Sequence, residues 1–178
     1  GRNDLAYMLL NRTRYPSWLY PVTMGATTIW ERWDGQKPDS TFQDKGMNSF
    51  NHYAYGAIGK WMYEVVAGIG IDETNPAYKH IIIHPRPGGR LTSAKATHQS
   101  MYGEIVSGWQ LEDEQLTMEV EIPANTTATI HIPGDSSGIT INGSSLAKSG
   151  IEFKELEGKV LGNTGSGTYT IQTSLQEP

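Results

Sequence analysis

The hydrophobic period of this chain changes once, near residue 71, and no single packed layer can absorb both periods. In NSFNHYAYGAIGKWMYEVVAG the apolar and aromatic side chains fall at Phe50, Tyr53, Ala54, Ala57, Ile58, Trp61, Met62 and Val65, the three-and-four step of one helix face. Asn48 or Ser49 can cap the start of this helix, and Gly68 can stop it. Further along, Leu116, Met118, Val120 and Ile122 alternate with Thr117, Glu119 and Glu121, the pattern of a strand with one buried and one wet face. Ala128, Ile130 and Ile132 repeat it, as do Ile105, Trp109 and Leu111. Asn142-Gly143 marks a tight hairpin, since both residues tolerate positive φ. With the pieces around Phe153, Val160 and Tyr169 to Thr173, these short strands predict an antiparallel β-sandwich.

Helices first and strands afterwards describe two units, an α+β multidomain arrangement divided into 1–70 and 71–178. In the helical part, Leu5, Met8 and Leu9 predict a helix that ends before Pro16. Ala26, Ile29, Trp30 and Trp33 predict a shorter helical face with Thr27 or Thr28 near its start. The intervening DGQKPDSTFQDKGMNS is polar and long for a compact domain, so it is either a functional loop or a solvated crossover. The chain opens inside a segment that reads as helix, and a piece of a longer protein is therefore expected.

Composition narrows the function classes. A net charge of -5 without any dense Lys/Arg run argues against a nucleic-acid or anionic-membrane surface. No apolar run approaches the roughly 20 residues of a membrane span, and GRNDLAYMLL lacks the features of a secretion signal. The absence of cysteine removes disulfides, thiolate metal sites and a cysteine nucleophile. The compartment stays open, with a periplasmic or extracellular location favoured over a cytoplasmic one. No cofactor and no metal site are expected: His80 and His84 have the separation of zinc ligands on a helix, but Ile81, Ile82 and Ile83 between them are strand-prone. No serine sits in a nucleophile elbow.

The chemistry therefore rests on carboxylates. GATTIWERWDG places Glu31 between Trp30 and Trp33, with Arg32 and Asp34 beside it. Wide apolar rings next to charged groups can stack on a sugar face while hydrogen-bonding its hydroxyls; the same letters also fit tryptophans in a core with charges in water. Glu31, Asp34, Asp39 and Asp44 gather around one loop, with His52 close in sequence. Such a group suits glycoside hydrolysis, in which one carboxylate activates water and a second carboxylic acid protonates the leaving oxygen. A reading from another class makes the sandwich a non-catalytic carbohydrate-binding or structural module with a helical cap. Tyr102 or Trp109 would then be its sugar platform, although the alternation of Trp109 with Ile105 and Leu111 favours the core.

TTIWERWDG, SFNHYAYGAIGKWMYEVVAGI, HPRPGGRLTSAKA and the following MYGEIVSGWQ together resemble the C-terminal part of the bacterial α-L-rhamnosidases, glycoside hydrolase family 78. The resemblance covers nearly the whole chain. It implies the last helices of an (α/α)6 barrel followed by a C-terminal β-sandwich, in an enzyme that removes terminal α-L-rhamnose from rhamnosides with inversion. By position it makes Glu31 the general base and His52 a rhamnose-binding histidine, with Trp30, Arg32 and Trp33 touching or supporting the sugar. It puts the general acid on earlier barrel helices, outside this chain. The implied partners are a rhamnose-containing glycoside or polysaccharide and the upstream part of the same barrel. The isolated chain is expected to be inactive.

Overall fold

The computed structural model describes residues 1–156 and 158–175. Two compact units emerge, one built from Gly1–Trp61 with Gly88–Arg90, the other from Met62–Pro87 with the chain from Leu91 onward.

The first unit holds α1 (Asn3–Asn11), α2 (Leu19–Thr23) and α3 (Ile58–Trp61), the last preceded by a 3-10 turn over Tyr53–Ala57. The first helix lies where the sequence puts one and ends well before Pro16. The expected apolar face is not the buried one, because Tyr7 is buried while Leu5 and Met8 are exposed. Tyr7 meets Trp61 edge-on at 5.0 Å and covers Gly88 and Gly89, where an added Cβ would stand 2.9 Å from its ring. Large aromatic area thus decides the face. The spacing gives no sign of α2, which contains Pro21; the ring is tolerated in a first turn, where its missing N–H has no helical partner. Buried Ser17 accepts the Tyr20 N–H at its start (3.1 Å).

Two helical expectations need correction. Residues 26–33 form bends and turns instead of a helix, because their amides are committed elsewhere: Ala26 N–H returns to Pro21 O (2.9 Å) and Glu31 N–H goes to Ser49 O (2.9 Å). The helix expected from Asn48 or Ser49 begins only at Tyr53, after His52 in extended geometry. Over Met62–Val66 it widens to a π-turn, which Ala67 N–H closes on Met62 O (2.9 Å) before Gly68 ends it.

The second unit is a sandwich of two sheets. One runs in the order β1 (Ile69–Ile71), β2 (His80–Ile83), β6 (Thr127–Pro133), β10 (Lys159–Thr164), β9 (Glu152–Leu156). The other runs β3 (Ser93–Ser100), β4 (Gly103–Glu112), β5 (Gln115–Ile122), β11 (Gly167–Ser174), β7 (Thr140–Ile141), β8 (Ser144–Ser145). Neighbours pair antiparallel except β2 and β6, which are parallel in the register Ile81↔Ala128. Alternation supplies the core: Ile81, Ile83, Ala128, Ile130, Ile132 and Val160 from one sheet meet Ile105, Trp109, Leu116, Met118, Val120 and Ile171 from the other, all at most 3% exposed. Each such side chain contributes about 1.5–3 kcal/mol by leaving water when it is large. Asn142 and Gly143, at φ 50° and 77°, make the predicted hairpin between β7 and β8, and Asn142 Oδ1 accepts the Thr170 N–H (2.8 Å). No helix among the described residues is long and apolar enough to cross a membrane.

Candidate active site

The segments around Glu31 and His52 are bound side by side within the first unit. Glu31 N–H donates to Ser49 O at 2.9 Å, and His52 N–H donates to Ile29 O at 2.8 Å. The Thr28 hydroxyl donates to Phe50 O between them. This short pairing of two segments explains why neither is helical, since their backbone groups satisfy one another instead.

Glu31 is half-buried, and its Oε2 accepts the Ser49 N–H at 3.1 Å. Trp30 is buried at 6% exposure, edge-on to Phe50 at 4.9 Å, so the residue before the carboxylate is an anchor in the core. Trp33 stacks on Tyr55 at 4.8 Å with 23° between planes and meets Trp18 edge-on at 5.2 Å. The Trp18 indole N–H donates to Tyr55 O (3.0 Å). Trp18, Trp30, Trp33 and Tyr55 border an apolar cavity of about 40 Å³, too small for a sugar ring and suited to rigidity. The tryptophans that flank Glu31 therefore brace the turn that carries it.

His52 occupies the cap position of the helical run, where its Nδ1 accepts the Ala54 N–H at 3.4 Å. A neutral ring that accepts through Nδ1 carries its proton on Nε2, ready to donate. Its plane lies parallel to that of exposed Tyr53, 5.8 Å away. Arg32 turns to the long polar loop, donating to Gln43 Oε1 and standing 3.9 Å from Asp44.

The other acidic residues of the loop serve their own turns. Asp39 accepts the Thr41 hydroxyl (2.6 Å) and N–H (3.0 Å), and Asp44 accepts the Gly46 N–H (2.7 Å) and Met47 N–H (3.3 Å). These donors favour the charged carboxylates and hold both below the usual range. A group stabilised as an anion is a poor proton donor to a leaving oxygen. The sequence offers Asn48, Ser49 and Thr28 as helix-start residues, whereas Asn48 and Thr28 bond the carbonyls of Gly35 and Phe50 through their side chains and Ser49 acts through its backbone, a tertiary pairing that local spacing does not encode.

In the second unit, His80 lies on β2 as expected, bridging the Thr127 and Thr129 hydroxyls at 2.7 and 2.9 Å. Trp109 is a core residue whose indole N–H donates to Val66 O (2.7 Å). Tyr102 has the Lys79 ammonium over its ring at 5.1 Å. Both aromatic candidates for a sugar platform on the sandwich are thus engaged.

Residues 1–66 match the family model of the bacterial α-L-rhamnosidase six-hairpin glycosidase domain, and residues 70–145 match that of the bacterial α-L-rhamnosidase C-terminal domain. An α-L-rhamnosidase of Streptomyces avermitilis is 47% identical over 76% of this chain and 13% of its own length. One from Formosa agariphila is 51% identical over 77% of this chain and 15% of its own. The crystal structure of the Streptomyces avermitilis α-L-rhamnosidase complexed with L-rhamnose superposes with a TM-score of 0.87 at 39% identity, covering 98% of this chain and 16% of that one. The α-L-rhamnosidase structure from Dictyoglumus thermophilum gives 0.82 at 32% identity over 98% of this chain and 19% of its own. The chain therefore spans less than a fifth of the length of each of these relatives.

Proposed function

Because this chain belongs to the bacterial α-L-rhamnosidase family, we propose that it closes the helical-hairpin barrel of a rhamnoside-hydrolysing enzyme and supplies that barrel's general base. The division of labour falls near residue 70, with the barrel's last helices before it and a bracing sandwich after it. The observation that carries the reading is the half-buried Glu31 carboxylate, fixed through one oxygen by the Ser49 N–H.

In the proposed step the free oxygen of Glu31 takes a proton from a water molecule as that water attacks the anomeric carbon of a terminal α-L-rhamnosyl group. The bond to the leaving oxygen breaks, and that oxygen takes a proton from a carboxylic acid on an earlier part of the barrel. Water and sugar then account for every atom, and the configuration inverts, which requires the two carboxyl groups about 6.5–9.5 Å apart. His52 offers its Nε2 proton to a sugar hydroxyl. Trp30 and Trp33 hold the base-bearing turn, and Arg32 ties it to the 36–47 loop. A periplasmic or extracellular location goes with a polysaccharide-derived substrate.

The test uses the longer polypeptide that contains this chain, its Glu31→Gln variant, and residues 1–178 alone, assayed on p-nitrophenyl α-L-rhamnoside with the first-formed anomer read by NMR. The reading expects β-rhamnose first, a loss of about 10²–10⁴ in kcat for the variant, and no useful turnover by residues 1–178. Near-normal turnover in Glu31→Gln would remove Glu31 as the base.

A further inference from the structure

Residues 48 to 52 grip the Glu31 segment in sequence. Asn48 Nδ2 donates to Gly35 O (2.8 Å), Ser49 N–H to Glu31 Oε2 (3.1 Å), and His52 N–H to Ile29 O (2.8 Å), while Phe50 O accepts the Thr28 hydroxyl. Only the first of these uses a side chain of the 48–52 segment. It also binds the far end of the turn, past Trp33 and Asp34.

Gly35 is a junction. Its N–H closes the turn on Arg32 O (3.1 Å), and its carbonyl accepts the Gln43 N–H (3.1 Å) besides the Asn48 amide. It is buried, and a Cβ there would stand 3.0 Å from Asn48 Oδ1 and 3.4 Å from Phe50 Cε1. The Asn48 Oδ1 is itself buried and has no hydrogen-bond partner among the described residues. A buried amide oxygen left unpaired costs free energy, so the side chain is held here by its Nδ2 bond and by close packing on Gly35.

We propose that Asn48 is a positioning residue for Glu31, keeping the Ser49 N–H on the carboxylate by anchoring the adjacent residue to Gly35. The proposal rests on Glu31 as the general base. The chain between Gly35 and Asn48 is a polar loop, and its own turns at Asp39 and Asp44 do not fix where residue 49 lies. The Asn48 amide ties the chain to Gly35 one residue from the donor, adding to the Glu31 N–H bond on Ser49 O. Without it the Ser49 N–H is aimed only by the Glu31 N–H bond to Ser49 O and the flanking Thr28 and His52 bonds, and a carboxylate whose donor is less well aimed holds its charge less well.

The experiment measures kcat/KM against pH on p-nitrophenyl α-L-rhamnoside, in the longer polypeptide, for the native form, Asn48→Ala and Gly35→Ala. The first variant deletes the anchor. The second pushes on it from the opposite side at a residue whose φ lies outside the left-handed region, although the added Cβ also comes within 3.3 Å of Arg32 O. The expected result is a shift of the acid limb to higher pH in both, with kcat lowered and KM within about twofold. A purely structural contact would lower activity without moving the limb. An unmoved limb in either folded variant overturns the proposal, and so does failure of both to fold, which would make the contact structural. Should Glu31→Gln keep its turnover, the function reading falls first; a dead Glu31→Gln with an unmoved limb refutes the positioning role alone.

Discussion

Glu31 and Ser49 hold each other twice, the backbone N–H of Glu31 on Ser49 O at 2.9 Å and the Ser49 N–H on Glu31 Oε2 at 3.1 Å. An amide oxygen can replace the carboxylate oxygen in the second bond and leaves the first untouched. Glu31→Gln in residues 1–178 is therefore expected to lose less than about 1 kcal/mol, the difference between a charged and a neutral acceptor at a half-exposed site. Urea unfolding followed by tryptophan fluorescence measures it. A loss several times larger would make Glu31 a folding residue first, and the activity of the variant uninterpretable.

Two buried side chains of β4 complete the end of the π-turn. Ser107 Oγ donates to Ala67 O (2.6 Å) and Trp109 Nε1 to Val66 O (2.7 Å); these are carbonyls that a helix end leaves without partners. Ser107→Ala is expected to cost about 1–3 kcal/mol, chiefly from the orphaned carbonyl. Trp109→Phe should cost more, adding a cavity to a lost bond. Chemical denaturation of the two variants and their combination tests this. Because both bonds hold adjacent carbonyls, the combined loss should fall short of the sum.

Gly68 is required by both its angle and its neighbours. Its φ is +83°, and a Cβ would overlap Pro85 N at 2.0 Å and His84 C at 2.4 Å, while its carbonyl accepts the His84 N–H (2.8 Å). Gly68→Ala combines about 1–2 kcal/mol of left-handed strain with about 1–3 kcal/mol of overpacking. The expected outcome is a fall in the urea midpoint larger than that of Ser107→Ala, and an equal or smaller fall would refute the close approach.

The sandwich was legible because alternation is a local signal with a single meaning: Leu116, Met118 and Val120 could face only one core. The hairpin at Asn142 was legible because few residue pairs accept its angles. Around Glu31 the same reasoning mistook burial for helix. Ala26, Ile29, Trp30 and Trp33 have helical spacing, yet the Ala26 N–H returns to Pro21 O, while the Ile29 carbonyl and the Glu31 N–H pair with His52 and Ser49 some twenty positions away, and that information is spread over both segments. The parallel pairing of β2 with β6 was hidden for the same reason. Residue chemistry pointed to Glu31 and His52, whereas the backbone ladder that joins their segments is a tertiary fact.

His84 and His131 stack in the second unit with ring centroids 3.9 Å apart and planes 12° from parallel, and this pair sets a pH dependence. Burial first, then the neighbouring His131, Arg86 and Lys159, push the His84 imidazole down to about 4 from its ordinary 6.5. His131 is lowered by burial, Lys159 and Arg86. Between pH 6.5 and 4 the unfolded chain thus binds protons that the folded chain refuses, so stability rises with pH across that window. The contribution is complete above the unfolded value and is lost as pH falls toward 4. The His84 shift, halved because its ring is only partly buried, corresponds to about 2 kcal/mol. Asp72, held at about 2 by Thr74 and Asn75, loses its contribution only below the ordinary carboxylate range, so the two effects separate on the pH axis. Urea midpoints of residues 1–178 should therefore fall from pH 7.5 to 5, and fall less in a His84→Asn, His131→Asn double variant. Parallel pH slopes for the two proteins would show that this stack does not govern the acid sensitivity of the sandwich.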